Sequence, residues 1–241
     1  MVNRIDIATI PAEARLFAPA DAYVVIDTLR ATTTIATLFA RGLTRMRAVT
    51  DVEAAFAAKA ESGALLFGEV GGLPPPGFDF GNSPVEAEGV EVQGRDAILM
   101  TSNGTKALCA VAGLGPAVTG ALVNVSAVAA WATNAERVVI VCAGNHGARQ
   151  FSLEDFAVAA AIVQRLVGGS PQATLGDAAK LALGIERPAA LIGVAEHADV
   201  IRRLGLGADV DFAMERDRCP SLPFVMEIGE GWALLENRAI G

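Results

Sequence analysis

Five short polar segments of the 241-residue chain carry residues that bind anions or cations, and most follow a run of apolar, β-branched residues. They are Asp27-Thr28-Leu29-Arg30-Ala31-Thr32-Thr33-Thr34, Glu69-Val70-Gly71-Gly72, Thr101-Ser102-Asn103-Gly104-Thr105, Asn124-Val125-Ser126, and Cys142-Ala143-Gly144-Asn145-His146-Gly147. In open α/β sheets ligands bind beyond the carboxyl ends of strands, so residues recurring there mark a candidate site. Arg30 with Thr32, Thr33 and Thr34 falls in the first turn of an expected helix, where β-branched residues are mediocre formers and need a reason. One reason is anion binding: a helix N-terminus offers free N–H groups and about half a positive charge, to which hydroxyls and an arginine fork add donors. Plain N-capping is the other. Asn103-Gly104-Thr105 forms a second cradle, since glycine lets an anion approach the backbone, although a turn before a helix is the plainer reading.

Asp27 and Glu69 stand at two strand ends, where they either pair with Arg30 or bind a hard cation such as Mg²⁺. His146, among glycines, can serve as acid, base or phosphate donor. His197 falls in a helical surface segment and is not expected to act. Ser152-Leu153-Glu154-Asp155 opens a helix in which Asp155 is accounted for by capping and Glu154 is left to point elsewhere.

Composition removes several function classes. With 19 Lys plus Arg against 27 Asp plus Glu, the net charge is −8 and the pI about 4.8, so neither nucleic acid nor an anionic membrane is expected as a partner. Two histidines exclude a multi-histidine zinc site, and any metal must be held mainly by carboxylates. The three widely spaced cysteines, without a Cys-x-x-Cys pair, suit a reduced, cytoplasmic setting. The N-terminus lacks the apolar core of a signal peptide, and no run of membrane-spanning length is free of polar interruption. Dinucleotide-binding, P-loop and G-x-S-x-G signatures are absent.

Positioning these residues requires strands alternating with Ala-rich helices, which predicts an α/β fold: a three-layer α/β/α sandwich on a mainly parallel, mixed sheet. Strands are expected at Tyr23–Ile26, Met46–Val49, Leu65–Phe67, Ala97–Met100, Ala117–Leu122 and Val138–Val141, several without alternation, as in strands buried on both faces. Capping boxes are expected at Thr50-Asp51-Val52-Glu53 and Ser83-Pro84-Val85-Glu86, with Pro84 at the first helical position. Phe151 and Phe156 are placed to staple a helix running from Ser152 to Leu166. Gly71 to Gly77 opens a long loop reaching Ser83. A hairpin is expected where Phe224–Ile228 and Trp232–Leu235 flank Gly229-Glu230-Gly231. One domain spanning 1–241 accounts for the length, and the exposed helices of its C-terminal portion, 171–241, could form a homo-oligomeric contact.

The run from Val25 to Ile35 resembles the signature of the 2-phosphosulfolactate phosphatase (ComB-like) family. Gly68-Glu69 with Gly71-Gly72 and Gly77-Phe78-Asp79-Phe80-Gly81-Asn82-Ser83-Pro84 is similar to the family's second block, and Thr101 to Thr105 to its third. Cys142-Ala143-Gly144 with Phe151 to Asp155 is similar to the fourth. The blocks lie in order from Asp27 to Asp155, whereas 171–241 matches only in general character. Val70 stands where an arginine is expected after Gly-Glu, and Lys106 replaces an arginine after the Asn-Gly-Thr turn.

The resemblance implies a Mg²⁺-dependent phosphatase hydrolysing the phosphate ester of 2-phospho-3-sulfolactate, a step in coenzyme M biosynthesis. Combined with the residue census, it implies Asp27, Arg30 and Glu69 as catalytic residues and Asp27, Glu69, Glu154 and Asp155 as candidate metal ligands. Thr32, Thr33, Thr34, Asn103, Gly104, Thr105, Asn124 and His146 then hold a small anionic phosphorylated substrate. Two other readings stay open: a different phosphorylated 2-hydroxy acid as substrate, or a non-catalytic protein that binds an anionic metabolite.

Overall fold

The computed structural model describes residues 1–238. The chain begins with β1 (Arg4–Ala8), a 3₁₀ turn (Pro11–Phe17), β2 (Ala22–Ile26), α1 (Ala31–Ala40), β3 (Arg45–Val49), α2 (Val52–Ser62) and β4 (Leu65–Gly68). It continues through α3 (Pro84–Gly89), β5 (Asp96–Met100), α4 (Gly104–Ala110), β6 (Ala117–Gly120), α5 (Val125–Ala132), β7 (Arg137–Cys142) and α6 (Leu153–Gly169). The last third holds β8 (Thr174–Leu175), α7 (Asp177–Leu183), α8 (Pro188–Gly193), α9 (Glu196–Arg203), α10 (Gly207–Ala213), β9 (Pro223–Gly229) and β10 (Trp232–Asn237).

All ten strands share one sheet, in the order β4-β5-β3-β10-β9-β6-β2-β7-β1-β8. Two parallel blocks, β4-β5-β3 and β6-β2-β7-β1-β8, are joined by the antiparallel β9–β10 hairpin. The C-terminal hairpin is thus a central part of the sheet, and removing it would leave β3 and β6 with open edges.

Burial on both faces explains the non-alternating strands. Val24, Ile26 and Ile140 pack with α5 to α10, while Tyr23, Val25 and Val139 pack on the opposite face with α1 and α4. On β3 and β5, Val49 and Ile98 pack with α2, whose Ala55 and Ala58 face inward. The result is the three-layer α/β/α arrangement around a mostly parallel sheet.

Local starts differ in detail from the expected ones. Asp51, not Thr50, caps α2, accepting from the Ala54 N–H at 2.7 Å. Ser83 caps α3 by accepting from the Glu86 N–H at 3.1 Å, but Glu86 turns back to the Gly81 N–H at 2.9 Å. β6 stops at Gly120, and Leu122–Asn124 forms a 3₁₀ turn. The Phe151 and Phe156 rings meet at 5.4 Å across the start of α6, as a staple should. β1 and β8 were not anticipated; β8 is only Thr174–Leu175, too short for a periodic signal.

Candidate active site

A cavity of about 320 Å³ opens beyond the carboxyl ends of β2, β4, β5 and β7. That volume is at the small end of ligand pockets, roughly 300–1,000 Å³, and suits a small organic acid better than a nucleotide. Its lining comes from four strand-end segments: Asp27, Leu29 and Arg30; Glu69, Gly71 and Gly72; Ser102 and Asn103; and Asn145, His146 and Gly147. Asn82, just before α3, and Glu196, His197, Val200 and Ile201 of α9 complete the wall.

Asp27 is held by the turn that joins β2 to α1. Its Oδ1 accepts from the Ala31 N–H at 3.3 Å, and its backbone N–H donates to Thr32 Oγ1 at 3.0 Å. The anion at the start of α1 is therefore the Asp27 carboxylate itself. The threonines are committed to the same region: Thr32 Oγ1 donates to the Asp27 carbonyl at 2.9 Å, Thr33 Oγ1 to the Thr28 carbonyl at 2.7 Å and Thr34 Oγ1 to the Asn82 carbonyl at 3.3 Å. Residues Ala31 to Phe39 are all buried, and small hydroxylic side chains that back-bond to the chain are the polar residues such a helix start can hold. None of the three threonines lines the cavity.

Gly104 explains how the Asp27 carboxylate fits. A Cβ there would stand 2.8 Å from Asp27 Oδ2 and 2.7 Å from the Ala31 methyl, so only glycine leaves room. Gly104 thus makes space for Asp27. Thr105 is also buried beneath the floor, its N–H bonded to Thr101 Oγ1 at 3.2 Å.

Burial pushes the Asp27 carboxyl up from 3.8 to about 6, opposed by His197 and the Ala31 N–H and reinforced by the charges of Glu69 and Glu154. Glu154, which is buried, meets His197 Nδ1 at 3.1 Å. Burial lowers the His197 pKa, but the Glu154 hydrogen bond and the charges of Glu154, Asp27 and Glu69 outweigh it and leave the imidazole raised. His197 is the clearest site residue that the sequence reading missed. Its helix looked like a surface element, and α9 is strongly amphipathic, but one face of it closes the cavity.

Arg30 pairs with neither Asp27 nor Glu69. Its Nη1 donates to Asp209 of α10 at 2.7 Å, both side chains being buried, and its Nη2 to the Gly72 carbonyl at 2.6 Å. Asp209 also accepts from Ser83 Oγ at 2.5 Å, which ties the C-terminal helices to the loop before α3. Glu69 clamps two loops, taking the Gly72 N–H on Oε2 and the Ser102 N–H on Oε1, each at 2.8 Å. Val70 is more than half exposed and does not line the cavity, although Glu69 and Gly71 on either side of it do.

Three further candidates take up structural bonds. Asp155 accepts from the Thr28 N–H at 2.8 Å and the Gly144 N–H at 3.0 Å, which pins α6 to the ends of β2 and β7. Burial, Glu154 and Asp27 drive its carboxyl well above the usual range, against those two bonds. Asn103 Oδ1 takes the N–H groups of Gly147 and Ala148 at 2.9 and 3.0 Å, holding a loop in which His146, Gly147 and Ala148 all have positive φ. Asn124 lies away from the cavity, bonding the Ala121 N–H at 2.8 Å and the carbonyls of Thr119 and Ser221.

Among the described residues, no three His, Cys, Asp or Glu side chains stand at ligand spacing for a metal. Asp155 has both oxygens on backbone donors and does not fit that role; Glu69 has one N–H on each oxygen. Asp27 and Glu154 remain: both are buried, Asp27 lines the cavity, and Glu154 sits behind His197. Two carboxylates match the chemistry of Mg²⁺, which takes oxygen ligands and is usually held by one or two carboxylates, with water and ligand oxygens supplying the rest of its shell.

Over residues 8–227 the chain matches the family described as 2-phosphosulpholactate phosphatase. A probable 2-phosphosulfolactate phosphatase of Deinococcus radiodurans is 40% identical over 212 residues, covering 84% of this chain and 87% of that protein. One from Carboxydothermus hydrogenoformans is 37% identical over 91% of this chain and 89% of its own length. One from Thermus thermophilus is 35% identical over 98% of this chain and all of its own length.

Proposed function

The chain belongs to the 2-phosphosulfolactate phosphatase family, and from that premise we propose that it hydrolyses 2-phospho-3-sulfolactate to 3-sulfolactate and inorganic phosphate with Mg²⁺ as its cation. The observation that carries the site assignment is Asp27: a buried carboxylate raised to about 6, facing a small cavity at the strand ends, with no arginine paired to it. Asp27 and Glu154 are the side chains that would hold the cation, with Glu69 alongside. Bound there, Mg²⁺ supplies neutralisation of charge on a phosphoryl oxygen.

The chain's own residues orient the ester. Arg30, fixed by Asp209 and Gly72, offers a guanidinium that cannot swing away, so little reorganisation accompanies charge build-up in the transition state. His197, held through Nδ1 by Glu154, lines the cavity and would donate to the leaving alkoxide oxygen. The loop of His146 and Gly147, braced by Asn103, bounds the end that would take the acid groups of the substrate.

Asp27 acts either as base toward a water or as nucleophile through an aspartyl-phosphate. Rapid acid quench with labelled substrate separates the two by whether phosphate stays on the chain. The family relationship and the three free cysteines support placing this reaction in the cytoplasm, in coenzyme M biosynthesis. The direct test compares kcat/KM for 2-phosphosulfolactate with that for other phosphorylated 2-hydroxy acids in the presence of Mg²⁺. Phosphate release from none of them refutes the reading; a higher value for another acid reassigns the substrate.

A further inference from the structure

The chain has three lysines, and among the described residues Lys59 pairs with Asp79 and Lys180 with Asp177, whereas Lys106 enters no ion pair. It lies in the first turn of α4, where a positive charge opposes the helix dipole, so the helix itself does not account for it. Its ammonium has a definite place: a Cβ at Gly147 would stand 3.5 Å from Lys106 Nζ. Gly147 lines the cavity, so an unpaired cation rests against the cavity wall.

The loop it touches has few donors of its own left for an anion. Asn103 Oδ1 takes the N–H groups of Gly147 and Ala148, and the Asn145 N–H goes to the Gln150 carbonyl at 2.8 Å. The Asn145 carbonyl takes the N–H groups of Arg149 and Gln150 at 3.0 and 3.1 Å. Arg30, the arginine that lines the wall, is fixed by Asp209 and Gly72 and cannot follow a ligand toward this loop. Lys106 is exposed, and its flexible stem lets the ammonium turn onto a ligand that lies against Gly147.

We propose that Lys106 is a specificity-determining residue whose ammonium takes an acid group of the substrate that is not transferred, the sulfonate or the carboxylate, where it lies along the His146–Gly147 loop. The inference rests on the phosphatase reading for what the substrate is; the unpaired ammonium against the wall does not depend on it. A hydrogen bond between charged groups is among the stronger ones and exposure weakens it, so losing this contact should raise KM roughly tenfold with kcat kept.

The experiment uses the full chain with Mg²⁺ and measures KM and kcat for 2-phosphosulfolactate and for 2-phospholactate, which lacks the sulfonate. Lys106→Gln should show the rise in KM, Lys106→Glu a larger one, and Lys106→Arg, which keeps the charge, a value near wild type. Arg149→Gln is the control: Arg149 is exposed on the same loop, does not line the cavity, and loses the same charge, so its KM should not move. A penalty in Lys106→Gln confined to 2-phosphosulfolactate assigns the contact to the sulfonate, and one shared by both esters assigns it to the carboxylate. The proposal is overturned if Lys106→Gln matches wild type in KM for every ester turned over, if Arg149→Gln raises KM as much, or if the loss falls on kcat alone. An active wild type matched in KM by Lys106→Gln sinks this inference and leaves the phosphatase reading standing. A wild type that releases phosphate from neither ester sinks that reading, and calorimetric titration with 3-sulfolactate, which carries both acid groups, then decides on Lys106. Binding weakened roughly tenfold in Lys106→Gln and unchanged in Arg149→Gln supports the contact, whereas equal binding in all three proteins, or none in wild type, overturns it.

Discussion

Replacing Asp27 by asparagine should stabilise the protein above neutral pH when no divalent cation is available. The substitution keeps the side-chain shape and the acceptor for the Ala31 N–H but removes the ionisation. Burial moves the carboxyl from 3.8 to about 6. At about 1.4 kcal/mol per pH unit, this is an upper figure of about 3 kcal/mol. Because the folded-state pKa lies above the unfolded one, the neutral carboxyl contributes its full stability below about pH 4, and that contribution is lost as the pH rises through about 6. Asparagine does not titrate, so Asp27→Asn and wild type should be nearly equal in stability near pH 4. They should diverge to about 3 kcal/mol in favour of the variant above pH 6, or roughly 6–12 °C in melting temperature for a chain of this size. Urea unfolding in excess chelator across that range measures the divergence. Adding Mg²⁺ should then raise the stability of wild type and leave the variant unmoved, since a cation that binds the ionised carboxylate stabilises only the form that has one. A variant less stable than wild type in chelator at neutral pH would refute the reasoning, because Asp27 would then be held as an anion by the turn at the start of α1 and would not be penalised by burial.

Asp209→Ala leaves Arg30 buried without its partner and should cost about 3–5 kcal/mol by urea unfolding, with phosphate release lost as well; a change under 1 kcal/mol would mean that solvent reaches the guanidinium. Gly104→Ala drives a methyl group to 2.8 Å from Asp27 Oδ2, so kcat should fall at least tenfold with an intact circular dichroism spectrum and a stability loss of about 1–3 kcal/mol; unchanged kcat would show that the carboxylate can move without consequence. Phosphate release should stop in excess chelator and return with Mg²⁺, and undiminished release in chelator would remove the cation from the site.

The strand-end rule made much of the site legible: Asp27, Arg30, Glu69, Asn103 and His146 all line the cavity, because each follows an apolar run that could only be a buried strand. What each side chain touches was less legible. The threonines of α1 looked like anion ligands or caps, and their hydroxyls prove to stitch the turn that carries Asp27. Asp155 was explained by capping, and Ser152 does accept its N–H at 3.2 Å, but its carboxylate bridges two strand ends that lie far from it in sequence. His197 and Asp209 were out of reach for a different reason. Both sit on short helices of the C-terminal third, where local pattern reports an amphipathic face but not the element it meets. The same limit hid the place of the β9–β10 hairpin: Gly229-Glu230-Gly231 announces a turn, whereas insertion between β3 and β6 depends on contacts across the whole chain.

The Arg30–Asp209 pair changes the meaning of the acidic balance. A guanidinium paired with Asp27 or Glu69 would have offset one of the carboxylates at the site. Asp209 takes that charge instead, so the charges of Glu69 and Glu154 act on Asp27 with His197 as the side-chain charge that opposes them. Like charges in a partly buried pocket repel, and a phosphate dianion brought among them would add to that repulsion. The proposed Mg²⁺ would offset that repulsion as a phosphate enters. On the proposed reading the anion enters together with the cation, and a phosphate ester, which has several oxygens to share with the metal, would be favoured over anions that bind Mg²⁺ more weakly.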